Sequence, residues 1–165
     1  MAARIDYFDE TAIADVGMRV SGNSFEELLQ AAAQGLLGLM ISDPDKLPEG
    51  RPRTLSLEDV SAELLLRALL EEMVFLKDAE NIVLVAEGVT VTPPGMDTNV
   101  PRREAEGAAG RPGSAVVQAE ISCREIELAD AGDLYGIDVK AVTFHDFQVE
   151  RRDSGEWYAQ VIFDV

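Results

Sequence analysis

The sequence predicts an α+β fold, a mainly antiparallel β-sheet with two helices packed on one face. Two observations carry this. The β-type and helical runs follow the order β-β-α-β-α-β-loop-β-β-β, which is not a repeating βαβ series. Each helical run also has an apolar surface that needs a sheet to cover it, whereas most β-type runs alternate and leave a polar face outward. A length of 165 residues fits one domain, 1–165, with a core large enough to need no disulfide staple.

Short β-type runs are expected over 4–8 and 14–21. Ser24-x-x-Glu27 is a capping box, and Phe25, Leu28, Leu29, Ala32, Leu36, Leu39 and Met40 then form one buried stripe, so a first helix is predicted over 25–40. Gly35 and Gly38 inside it predict close packing against a sheet. A brief alternation over 54–57 precedes a second helix over 60–76, with Asp59 as its cap and apolar residues around most of its circumference. A third β-type run spans 81–91. The Pro-, Gly- and charge-rich stretch 92–114 then reads as a loop insertion with no metal-ligand spacing. Strand character resumes over 115–127, a turn or short helix follows over 128–133, and the last two strands flank Arg152-Asp153-Ser154-Gly155, a hairpin signal.

The net charge is −17, from 31 acids and 14 bases, which argues against direct nucleic-acid binding as the main affinity and favours cations or a basic partner surface. The excess of acids and scarcity of Lys would also suit a high-salt cytoplasm. Cys123 is the sole cysteine and alternates with Ile121, which fits a buried structural thiol in a reducing compartment. No leader or membrane-spanning run is evident, so a cytoplasmic location and no membrane partner are expected.

Asp9 and Asp15 flank a tight connection near Gly17, and Asp164 closes the apolar run that begins at Trp157. If the outermost strands are neighbours, these acids meet. Two carboxylates about 4 Å apart repel by roughly 4 kcal/mol at an effective dielectric of 20, so such a cluster needs a cation or a proton. Ca²⁺, Mg²⁺ or Mn²⁺ would suit it, with backbone carbonyls or the carboxylate of Val165 completing the oxygen set. The same acids also suit turn capping and a solvated strand edge. With Asp153 and Ser154 as the turn, Thr143 is expected opposite Asp164 and His145 diagonal to it on the same face. Lys140 falls on the other face unless a bulge intervenes; it would anchor the acids or a partner's phosphate or carboxylate. No Ser-His-Asp or Cys-His set is credible, and the glycines of 107–113 follow no strand, so no catalytic residue is assigned.

Four stretches resemble the archease family, whose members act as cofactors of the tRNA-splicing RNA ligase: Tyr7-Phe8-Asp9-x-Thr11 leading to Ala14-Asp15-Val16-Gly17, the 24–40 helix, Lys140-Ala141-Val142-Thr143-Phe144-His145, and Val161-Ile162-Phe163-Asp164-Val165. The resemblance covers nearly the whole chain except 92–114. It implies an α+β fold, a divalent-metal site at Asp15 and Asp164 with Asp9 close by, and a functional lysine at Lys140. It also implies an activator that promotes guanylylation and multiple turnover of the ligase, meeting GTP only through that partner. Where the family usually reads Asp-His-Thr-Ala-Asp, this chain has Glu10 for the His and two further residues before Asp15. A metal-dependent hydrolase using the same carboxylates, or a chaperone-like interaction module, are the competing functions.

Overall fold

The computed structural model of the chain describes residues 3–9, 15–92 and 116–165. The expected insertion lies outside them from residue 93 onward, as does the altered segment that starts at Glu10. Helix α1 (Phe25–Met40) is capped by Ser24 as expected, its hydroxyl accepting from the Glu27 amide at 3.1 Å, while the Glu27 carboxylate accepts from the amide of Asn23, one residue before the cap, at 3.2 Å. Helix α2 (Ala62–Glu80) starts later than the sequence suggests. Ser61 is its cap, accepting from the Leu64 amide at 3.1 Å, while Asp59 ends a strand and its carboxylate accepts from the Val60 amide. The helix also runs past residue 76, to a left-handed stop at Asn81 (φ 56°), from which the next strand leaves at once.

The strands are β1 (Arg4–Asp9), β2 (Asp15–Gly22), β3 (Arg51–Asp59), β4 (Ile82–Thr92), β5 (Val117–Glu127), β6 (Ala141–Arg151) and β7 (Trp157–Asp164). Helix α3 (Leu128–Ala131) and a 3₁₀ turn (Gly132–Leu134) fill the segment expected as a turn or short helix. The α+β, antiparallel class holds, but the strands divide between two sheets, ordered β1-β2-β7-β6 and β3-β5-β4. β3 is longer than its alternation implied because Pro52, which donates no ladder hydrogen bond, sits on an edge strand where none is needed.

Both long helices, α1 and α2, pack on both sheets. α1 lies on β2 and β4, and α2 on β6 as well as β3 and β4. One contiguous core results, with Met18, Val20, Leu28, Leu36, Leu66, Leu70, Ile121, Val161 and Phe163 among its buried side chains. Gly35 and Gly38 are where α1 crosses the four-stranded sheet. A Cβ on Gly35 would meet the Met18 sulfur, and one on Gly38 would lie 2.8 Å from the Tyr7 hydroxyl, which itself donates to the Gly35 carbonyl at 2.7 Å.

Candidate functional site

β2 is rich in β-branched and small residues, and its alternation turns Met18 and Val20 to the core, leaving Asp15, Gly17 and Arg19 on the outer sheet face. β7 does the same with Val161 and Phe163 inward and Asp164 outward. The two strands pair antiparallel with Asp15 directly opposite Asp164. Residues so paired share a face with Cβ atoms about 5 Å apart. Both side chains are half-buried, and neither carboxylate has a hydrogen-bond or ion-pair partner among the described residues. The neighbouring pair on this face is Gly17 and Ile162, with the Phe8 ring lying across Gly17 and the Arg19 guanidinium 4.0 Å from that ring. Gly17 thus lets an aromatic ring close down beside the acids.

The other expected site residues fall differently. Asp9 sits opposite Val16 on β1, one step out of phase with Asp15; beyond this strand position its side chain lies outside the described structure. Val165 packs its half-buried side chain against the core. Lys140 is exposed and docks by its backbone, its amide donating to the Asp164 carbonyl at 2.7 Å, so β6 starts beside the acid pair. Among the described residues, no group of three or more His, Cys, Asp or Glu side chains is arranged to hold a metal.

His145 requires a correction. Ala141, not Thr143, lies opposite Asp164, and Thr143 faces Ile162, donating from its hydroxyl to the Ile162 carbonyl at 3.0 Å. The register then jumps: the next pair is Gln148 with Gln160, so four residues of β6 oppose the single Val161 of β7. His145 stands in this bulge, exposed, with Nε2 3.2 Å from the carboxylate of Asp146 rather than near Asp164. Asp146 itself adopts φ 50°, the left-handed conformation that Asp tolerates better than most residues. The hairpin contributes a second shift. Its loop is Asp153-Ser154-Gly155 with Gly155 at φ 91°, closed by the Arg152 amide on the Glu156 carbonyl at 2.7 Å, one residue longer than a two-residue turn.

Two features had no sequence signal. Lys77, 2% exposed near the end of α2, pairs with Asp78 at 2.7 Å and with Asp138 across to the segment before β6. Burial opposes its charge, but the hydrogen bonds it donates to Asp138 and Asp78 outweigh it and raise its pKa overall. Asp138 is held below the ordinary carboxylate value, first by Lys77 and then by the Tyr135 hydroxyl, which donates to it at 3.0 Å. This pins the chain two residues before Lys140. Arg67, also on α2, stacks under the exposed Phe144 ring at 3.3 Å. Cys123 is buried as expected, and that burial pushes its thiol up to about 11, which leaves it un-ionised and unreactive near neutral pH.

The profile of the Archease protein family matches residues 6–165. The chain belongs to the Archease protein family. Among curated archeases, that of Thermococcus gammatolerans is 28% identical over 98% of this chain and 99% of its own length, and that of Thermococcus kodakarensis 28% over 97% of each. In fold, this archease-family protein matches the solution structure of Methanobacterium thermoautotrophicum protein 1598, with a TM-score of 0.73 at 23% identity over 98% of both chains. It also matches the crystal structure of an archease from Thermotoga maritima, with a TM-score of 0.58 at 19% identity and 96% coverage of each. No helix among the described residues is long and apolar enough to cross a membrane.

Proposed function

We propose that this archease-family protein activates a tRNA-splicing RNA ligase, serving guanylylation and repeated turnover of that enzyme through a divalent cation held by Asp15 and Asp164. The observation that carries the proposal is the direct cross-strand pairing of these two acids. Like charges opposite one another on a sheet destabilise it, so a partnerless pair is retained at a cost that a bound cation removes. An all-oxygen donor set fits a hard ion such as Ca²⁺, Mg²⁺ or Mn²⁺, with the remaining positions left to water, the partner or its nucleotide. When bound, the ion supplies positive charge where the ligase handles GTP. Asp15 and Asp164 bind and orient it, and the Lys140 amide holds the Asp164 backbone in place. Cys123 and His145 have no part in this, the first being buried and the second displaced into the bulge.

The test combines turnover and binding. Asp15→Ala and Asp164→Ala should each cut the stimulation of ligase turnover by at least roughly tenfold, the scale seen when metal sites lose supporting groups. Thermal stability without metal should stay equal or rise, because a repulsive neighbour is gone. Titration with Ca²⁺ or Mn²⁺ should raise Tm for the wild type and not for either variant. Full stimulation by both variants would sink the proposal, and phosphoester hydrolysis by the protein alone with Mn²⁺ would replace it with a hydrolase.

A further inference from the structure

An edge strand of the four-stranded sheet, β6, carries an aromatic side chain that the core does not need. Phe144 is 69% exposed, in the bulge of edge strand β6, three residues after Ala141, the partner of Asp164. It is nonetheless held firmly. Its ring stacks at 3.3 Å on the Arg67 guanidinium, whose side chain is only 11% exposed and is itself clamped by Glu71 at 2.9 Å and by the Val142 carbonyl at 3.2 Å. An exposed ring fixed in this way loses little conformational freedom on binding, as interface anchors require.

α2 extends the patch beside it. Leu64 (36% exposed) lies one turn before Arg67 and Phe75 (57% exposed) two turns after it, and Val60, two residues ahead of the helix, is exposed as well. Acids outnumber bases along α2: Glu63, Glu71, Asp78 and Glu80 are exposed, and the helix's only bases, Arg67 and Lys77, are drawn inward and paired with Glu71 and Asp78. Asp146 adds a further carboxylate next to Phe144 in the bulge. Nucleic acid and anionic lipid would be repelled by this rim, while a basic polypeptide surface with an apolar socket complements it.

We infer that Phe144, with Leu64 and Phe75 of α2, is the anchor by which this protein docks on a basic protein surface, and, resting on the activator reading above, that this surface belongs to the ligase. Phe144 stands on β6, which adjoins the strand of Asp164, so a partner docked there lies alongside that strand.

The experiment measures the affinity of the cognate RNA ligase for the full-length wild type and for Phe144→Ala, Leu64→Ser and, as a control on the other sheet, Glu120→Gln, with circular dichroism confirming that each folds. Phe144→Ala and Leu64→Ser should each weaken binding at least tenfold, Glu120→Gln should bind like the wild type, and wild-type affinity should fall as salt is raised. If Phe144→Ala and Leu64→Ser bind and stimulate the ligase like the wild type, the docking surface is wrong and the activator role survives. If the wild type neither binds nor stimulates the ligase, both fall. Self-association abolished by Phe144→Ala would assign the patch to a second copy of this chain and overturn the ligase assignment.

Discussion

Asp15 and Lys77 illustrate opposite fates for charge in this protein. Asp15 faces a like charge and has no partner among the described residues, whereas Lys77 is buried and satisfied by two acids. Replacing Lys77 by Met keeps its apolar stem and removes the ammonium, so it should lower stability by about 1–3 kcal/mol in denaturant titration, the range for hydrogen bonds to charged groups. The pH dependence has a definite sign. Asp138 has a depressed folded-state pKa, so its contribution is complete above the ordinary value of 3.8 and is lost as pH falls through the lower folded value. Lys77 has a raised one, so its contribution is present below 10.5 and lost as pH rises through the higher folded value. Lys77→Met should therefore flatten the stability profile at both extremes, and a profile unchanged from the wild type would show that the pair does not anchor the segment before β6. Asp15 and Asp164 were legible as candidates because charged residues interrupt apolar strand runs, where an acid has no packing role. Lys77 was not. Its neighbours Leu76 and Val74 read as one buried surface, and nothing local indicated that Asp138 would reach it from 61 residues away.

α1 shows how a helix records its packing in its own residues. Glycine costs a helix interior about 1 kcal/mol relative to alanine, so two of them in one stripe signal a close neighbour. That neighbour is the four-stranded sheet, through Met18 and Tyr7. Gly35→Leu should therefore destabilise the protein by about 1–3 kcal/mol through overpacking, despite leucine's better helix propensity. Calorimetry showing an equal or higher Tm would mean that the helix does not press on the sheet there. The cap at Ser24, the two long helices and the existence of the seven strands among the described residues were legible for the same reason: hydrogen-bonding caps and apolar periods are properties of short windows. β6 was not. The residues of 144–147 continue a β-like composition, yet they leave the ladder in the bulge where Phe144 stacks on Arg67 of α2. A register extrapolated from the hairpin therefore put His145 beside Asp164, where the bulge does not allow it to be.

At the scale of the whole molecule, a net charge of −17 on 165 residues is a self-repulsion that folding must overcome. Added salt screens it, with a Debye length falling from about 30 Å at 0.01 M to about 3 Å at 1 M. Raising NaCl over that range should raise Tm while weakening any complex with a basic partner; a Tm that falls with salt in calorimetry would mean that the ion pairs, not the repulsion, dominate. Composition, charge and periodicity by themselves determined the α+β class, the acidic character and the buried state of Cys123, and the resemblance carried by contiguous motifs such as 140–145 and 161–165 pointed to the family. Only the tertiary structure decided that the strands split into two sheets, that Asp15 meets Asp164 and that His145 does not. Those outcomes depend on which distant strands become neighbours and on a register broken by the bulge of β6, and neither quantity exists until the chain has folded.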